Sequence, residues 1–197
     1  MSSVRERDVR VHLFLFNFLM VASLQFTVAE AVTTDRWSWL AGTYWYVPTK
    51  NLPAYTYSPI TNTLTKVSDQ TVFHITDYAN GYFSGNVVGQ IDSNSPACMS
   101  LVGSVTPEGK VYLNFNILPF SPTNTATIGL GTMVRKGGAW TMENQMSSGS
   151  SVNQVGHWAY MILTKPGLPS WSSLPGLNIS VQQFLGQCPD NAPSSPH

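Results

Sequence analysis

Three turn signals constrain this chain more than anything else in it. Asn80-Gly81, Pro107-Glu108-Gly109 and Lys136-Gly137-Gly138 each divide a β-rich run: "TVFHITDYANGYFSGNVVGQI", "CMSLVGSVTPEGKVYLNFNIL" and "TIGLGTMVRKGGAWTMENQM". Asn-Gly is the strongest short hairpin signal, because both central residues of a type I′ turn must accept positive φ. Successive hairpins make a meandering antiparallel sheet. With an opening run at "TYWY", another near residues 62–68 and a last one, "VGHWAYMILTK", the pattern predicts about eight strands and no helix among them. An open sheet of that size leaves two unpaired edges, which closure removes. The expected fold class is therefore all-β, an antiparallel up-and-down barrel, with a β-sandwich as the alternative. Such a barrel has room for its own side chains or for one small ligand.

Residues directly opposite one another across a hairpin share a face. About the 107–109 turn, Val105, Gly103, Leu101 and Met99 oppose Val111, Leu113, Phe115 and Ile117, all apolar or glycine, and this face is expected inside. Cys98 then lies outside. About Asn80-Gly81, Tyr78, Thr76, His74 and Val72 oppose Phe83, Gly85, Val87 and Gly89. This is the more apolar set, so it is also placed inside, and His74 with it. A three-residue loop at 136–138 sets Val134, Thr132, Leu130 and Ile128 against Trp140, Met142, Asn144 and Met146. A two-residue loop shifts that register by one place. The last strand, with His157, is apolar on both sides, and its facing is left open.

The ends of the chain differ from its middle. Arg5, Arg7 and Arg10 precede an apolar run from Val11 to Val28, and Ala29-Glu30-Ala31 follows with small residues where a signal peptidase cleaves. Residues 1–31 are thus read as an export signal, 32–165 as the barrel and 166–197 as a Pro/Ser-rich tail, giving a secreted protein with no membrane attachment after cleavage. The alternative is an N-terminal membrane anchor. Within the tail, Ser180 is placed to cap a short helix at "VQQFLG". The two cysteines, Cys98 and Cys188, are far apart in sequence, which in an oxidising compartment suggests one disulfide pinning the tail to the barrel wall. Asn178-Ile179-Ser180 is a glycosylation sequon.

The net charge is +0 and only 10% of residues are charged, without a basic stripe, which argues against a nucleic-acid partner. Acidic residues in the barrel and tail are few (Asp35, Asp69, Asp77, Asp92, Glu108, Glu143 and Asp190), and none pair at the spacing of a carboxylate dyad. There is no G-x-S-x-G elbow, no phosphate loop and no Cys/His metal spacing, so neither cofactor nor metal is expected.

"LAGTYWY", residues 40–46, resembles the first-strand motif of calycin-type barrels, the superfamily of lipocalins and avidins. Gly42 and Thr43 match that motif; Tyr44 stands where the family has tryptophan, and Trp45 follows one place later. The resemblance implies a barrel that binds a small apolar or aromatic molecule in its cavity, and, as avidin-like barrels commonly associate, a homo-oligomer.

The ligand-binding candidates are Tyr44, Tyr46, His74, Trp140, Asn144 and His157. Tyr44 and Tyr46 share one face of the opening strand and are assigned to the cavity, with Trp45 turned away from it. Aromatic rings stack on planar ligands, and sparse polar groups such as His74 and Asn144 orient them. The first functional reading is an exported binding protein. The second is a cofactor-independent isomerase or cyclase using His74 as its acid or base; the third is a secreted interaction protein with a filled core.

Overall fold

The protein is described by a computed structural model that covers residues 35–48, 53–119, 126–149 and 153–188. Nine strands follow in order: β1 (Thr43–Tyr46), β2 (Pro53–Ser58), β3 (Thr63–Ala79), β4 (Tyr82–Ile91), β5 (Ala97–Val105), β6 (Lys110–Ile117), β7 (Ala126–Lys136), β8 (Ala139–Gly149) and β9 (Gln154–Thr164). A 3-10 turn at Ser38–Leu40 precedes them, and helices α1 (Pro169–Ser172) and α2 (Val181–Leu185) follow.

Each strand from β3 to β9 pairs antiparallel with the next. Both β1 and β2 lie between β3 and β9: Trp45 faces Phe73 and Leu163, while Ala54 faces Val67 and His157. They are successive pieces of one stave. Nine strands therefore make a closed, up-and-down antiparallel barrel of 8 staves, the expected fold class.

Turn chemistry fixes much of this. Asn80 and Gly81 take φ of 50° and 87°, the paired positive values that a type I′ hairpin needs. The β5–β6 register matches expectation at every interior pair, from Met99–Ile117 to Val105–Val111. The β7–β8 loop has two residues instead of three, so Lys136 faces Ala139 and Met133 faces Met142. Gly129, Gly131 and Met133 consequently take the interior, and Ile128 and Leu130, expected inside, lie exposed on the outer wall.

The Asn80-Gly81 hairpin departs from expectation midway. Tyr78 does face Phe83, but a bulge between Ile75 and Asp77 puts one extra residue on β3, so Ile75, not Thr76, faces Gly85. One added residue turns every following side chain over. Phe73 and Ile75 enter the core, whereas Val72 and His74 point outward. Gly85 permits the bulge, since a Cβ there would overlap the His74 carbonyl.

Two hydrophobic clusters result. The interior holds Trp45, Phe73, Ile75, Val87, Leu101, Leu113, Phe115 and Met142 among others. The second lies on the outer wall, where Leu174, Val181, Phe184 and Leu185 of the tail cover Val72 and Val88. Burying a side chain of that size contributes roughly 1.5–3 kcal/mol, so the tail is a structural part of the domain. Ser180 caps α2 in a reciprocal capping box with Gln183, as its sequence suggested. The Cys98–Cys188 disulfide joins tail to wall. Gln70, 3% exposed, donates from Nε2 to the Val47 carbonyl and accepts from the Gly176 amide, tying β1, β3 and the tail together.

Candidate functional site

The two ends of the barrel are built differently. At the end carrying the 80–81, 107–109 and 137–138 turns, indole rings fill the opening. Trp37, 2% exposed, meets Trp140 edge-on at 5.1 Å and donates its Nε1–H to the Thr106 carbonyl at 2.8 Å. Trp39 stacks on Trp140 at 6.0 Å and approaches Trp45 at 6.3 Å. Arg36 lies 4.8 Å over the Trp37 ring, and Arg135 lies 5.9 Å over Trp140. Tyr78 closes the rim with a hydrogen bond to Asp35; burial, reinforced by that carboxylate, pushes its phenol up to about 12.

At the opposite end the described residues leave space unfilled. A cavity of about 320 Å³ lies between the C-terminal ends of β4, β6 and β8 and the N-terminal ends of β5, β7 and β9. Its walls are largely apolar, with Ala97, Met99, Phe115, Ile117, Met146 and Val155. Asp69 and His157 face each other across one side of it, where the first stave passes from β1 to β2. The His157 Nδ1 is 4.0 Å from Asp69 Oδ2, and their side chains are only 12% and 8% exposed. The Thr71 hydroxyl donates to the same carboxylate at 3.0 Å. Burial raises the Asp69 pKa, opposed by His157 and Thr71; burial likewise lowers that of His157, opposed by Asp69. Both shifts follow from withdrawing charge from water.

The sequence candidates separate into three groups. His157, whose facing was open, points into the cavity. Asn144 and Trp140 are inside the barrel as expected but away from the cavity: Trp140 belongs to the indole plug, and Asn144 lies one interior step below Met146. Asn144 is 0% exposed, and neither its Nδ2 nor its Oδ1 has a hydrogen-bond partner among the described residues.

The interior placement of Tyr44, Tyr46 and His74 is corrected: they lie on the outer wall, Tyr44 and Tyr46 packed against the tail cluster and His74 stacked on Tyr44. The Tyr44 ring stacks on His74 at 4.0 Å and meets Trp171 edge-on at 4.9 Å, while Trp45 takes the interior place assigned to the tyrosines. Asn178 is exposed, between α1 and α2.

Asp69 is the functional candidate that sequence reasoning missed. With the bulge placed, it shares the inward parity of Thr71 and Phe73, and that parity is the signal that identifies it. Among the described residues no group of three or more His, Cys, Asp or Glu could hold a metal ion, and no helix is long and apolar enough to cross a membrane. No family model, curated protein or solved structure matches the chain.

Proposed function

We propose that the protein is an exported barrel that binds a small apolar or aromatic molecule at its open end. The observation that carries this reading is the contrast between the ends: one is filled by stacked indoles, and the other keeps about 320 Å³ of apolar-walled space with a few polar groups at one side. That volume and mixture of groups suit a small-molecule site. Export is supported by the basic and apolar leader of the sequence together with the Cys98–Cys188 disulfide, a bond typical of oxidising compartments. The resemblance of "LAGTYWY" to the calycin opening strand supports the same reading.

The test is to purify residues 32–197 from an oxidising host, denature the protein and identify released small molecules by mass spectrometry. Stripped protein is then titrated with a fluorophore that brightens in apolar surroundings. Stoichiometric binding that Ala97→Phe abolishes supports the cavity; binding indifferent to that change sinks it.

The isomerase or cyclase reading loses His74 as its acid or base, since that imidazole is stacked outside the barrel. It is carried instead by the His157–Asp69 pair, which places a proton acceptor against a buried carboxylate in the cavity wall. Recovering the bound molecule after incubation distinguishes the two: a binder returns it unchanged.

A further inference from the structure

We propose that the ligand presents a positively charged amine to Asp69, and that the cavity rejects carboxylates. This deepens the binding reading and rests on it.

The argument begins with what Asp69 lacks. Its carboxylate is 7% exposed and has as close partners among the described residues the hydroxyl of Thr71, at 3.0 and 3.1 Å, and the imidazole of His157 at 4.0 Å. Two oxygens offer about four acceptor sites, and the Thr71 proton fills one of them. At 4.0 Å the imidazole is too far to donate a hydrogen bond directly. A buried carboxylate in a wall whose exposed area is largely apolar is costly unless a donor or a cation completes its shell.

With the His157 Nδ1 4.0 Å away, the Asp69 carboxylate has no hydrogen-bonded counter-charge among the described residues. Asp69 and His157 are the only titratable side chains among the described residues lining the cavity. The field there favours an incoming cation and opposes an incoming anion. The geometry fits an amphiphile with an aromatic or aliphatic body lying along Met99, Phe115 and Met146. Its ammonium would enter between Asp69 and His157, giving charge-assisted hydrogen bonds to the carboxylate.

Three probes with one aromatic body test this by calorimetric titration of stripped protein: naphthylethylamine, naphthylethanol and naphthylacetate. Wild type is expected to bind the amine at least about tenfold more tightly than the carboxylate, with the alcohol between them. Asp69→Asn should remove that ranking while keeping affinity for the alcohol. Should this variant fail to give a cooperative melt, His157→Lys replaces it: a resident ammonium opposite Asp69 should cancel the preference for the amine.

Equal affinity for all three probes in wild type, or an amine preference that survives Asp69→Asn, overturns the inference while leaving the cavity reading intact. Absence of binding by all three, alcohol included, overturns both.

Discussion

The two ends of the barrel show how one architecture produces opposite results. At the turn-bearing end, tryptophans from three separate parts of the chain, at 37 and 39, 45 and 140, converge; their rings interlock and arginines cover them. At the other end the described cavity walls carry no tryptophan, and a carboxylate and an imidazole sit where more apolar bulk would close the space. Strand number sets the barrel's width, but the side chains at each end decide whether that width is core or cavity.

The sharpest way to break this comparison is to open the closed end. Trp37→Ala removes a nearly fully buried ring, two aromatic contacts and the hydrogen bond to Thr106. A loss of about 3–5 kcal/mol is expected in denaturant titration. Probe affinity at the far end should hold wherever the variant is folded; a parallel fall in affinity would show that the two ends are not independent.

Next in size is the tail, which belongs to neither end. Replacing both Cys98 and Cys188 by serine opens a loop with a sequence separation of 90 and should cost about 2–4 kcal/mol. Cavity affinity should again be unchanged.

At the open end the expectation reverses. Ala97→Phe should lower probe affinity by more than about tenfold, while stability moves by less than about 1.5 kcal/mol, because the new ring fills space instead of displacing neighbours. A large loss of stability there would mean that the cavity is already packed.

The smallest effect concerns pH. Burial holds the His74 imidazole below its ordinary value, opposed by Asp77. The unfolded chain therefore binds this proton more readily than the native state does. The His74 contribution is fully present above about pH 6.5 and declines as pH falls below it. Comparing melting temperatures at pH 7 and pH 5, wild type should lose about 2 °C more than His74→Gln, with the tail loosening first. An identical pH dependence in both proteins would refute the assignment.

Much of the fold was legible in the sequence because turn chemistry is local. Asn80-Gly81 declares its hairpin, and the β5–β6 pair shows an unbroken apolar face, so Met99, Leu101, Leu113 and Phe115 were placed correctly. The bulge at Ile75–Asp77 has no such local mark. It reversed His74 and Val72, and it hid Asp69.

Tyr44 and Tyr46 were misplaced for a different reason. The tail gives the outer wall a second buried face, so β1 is apolar on both sides and alternation cannot choose between them. The β7–β8 register depended on whether Lys136 belongs to the loop, a difference of one residue that composition does not decide.

The position of Cys188 has one more consequence. Its thiol meets Cys98 when Val181, Phe184 and Leu185 are seated, and their seat is the pair Val72 and Val88. Val72 reaches the outer wall through the bulge at Ile75–Asp77; a β3 that slipped by one residue would turn it inward and offer the helix a poorer landing. The crosslink therefore joins the tail to a wall that exists only in this register, with Val72 and Val88 facing outward for the helix to cover.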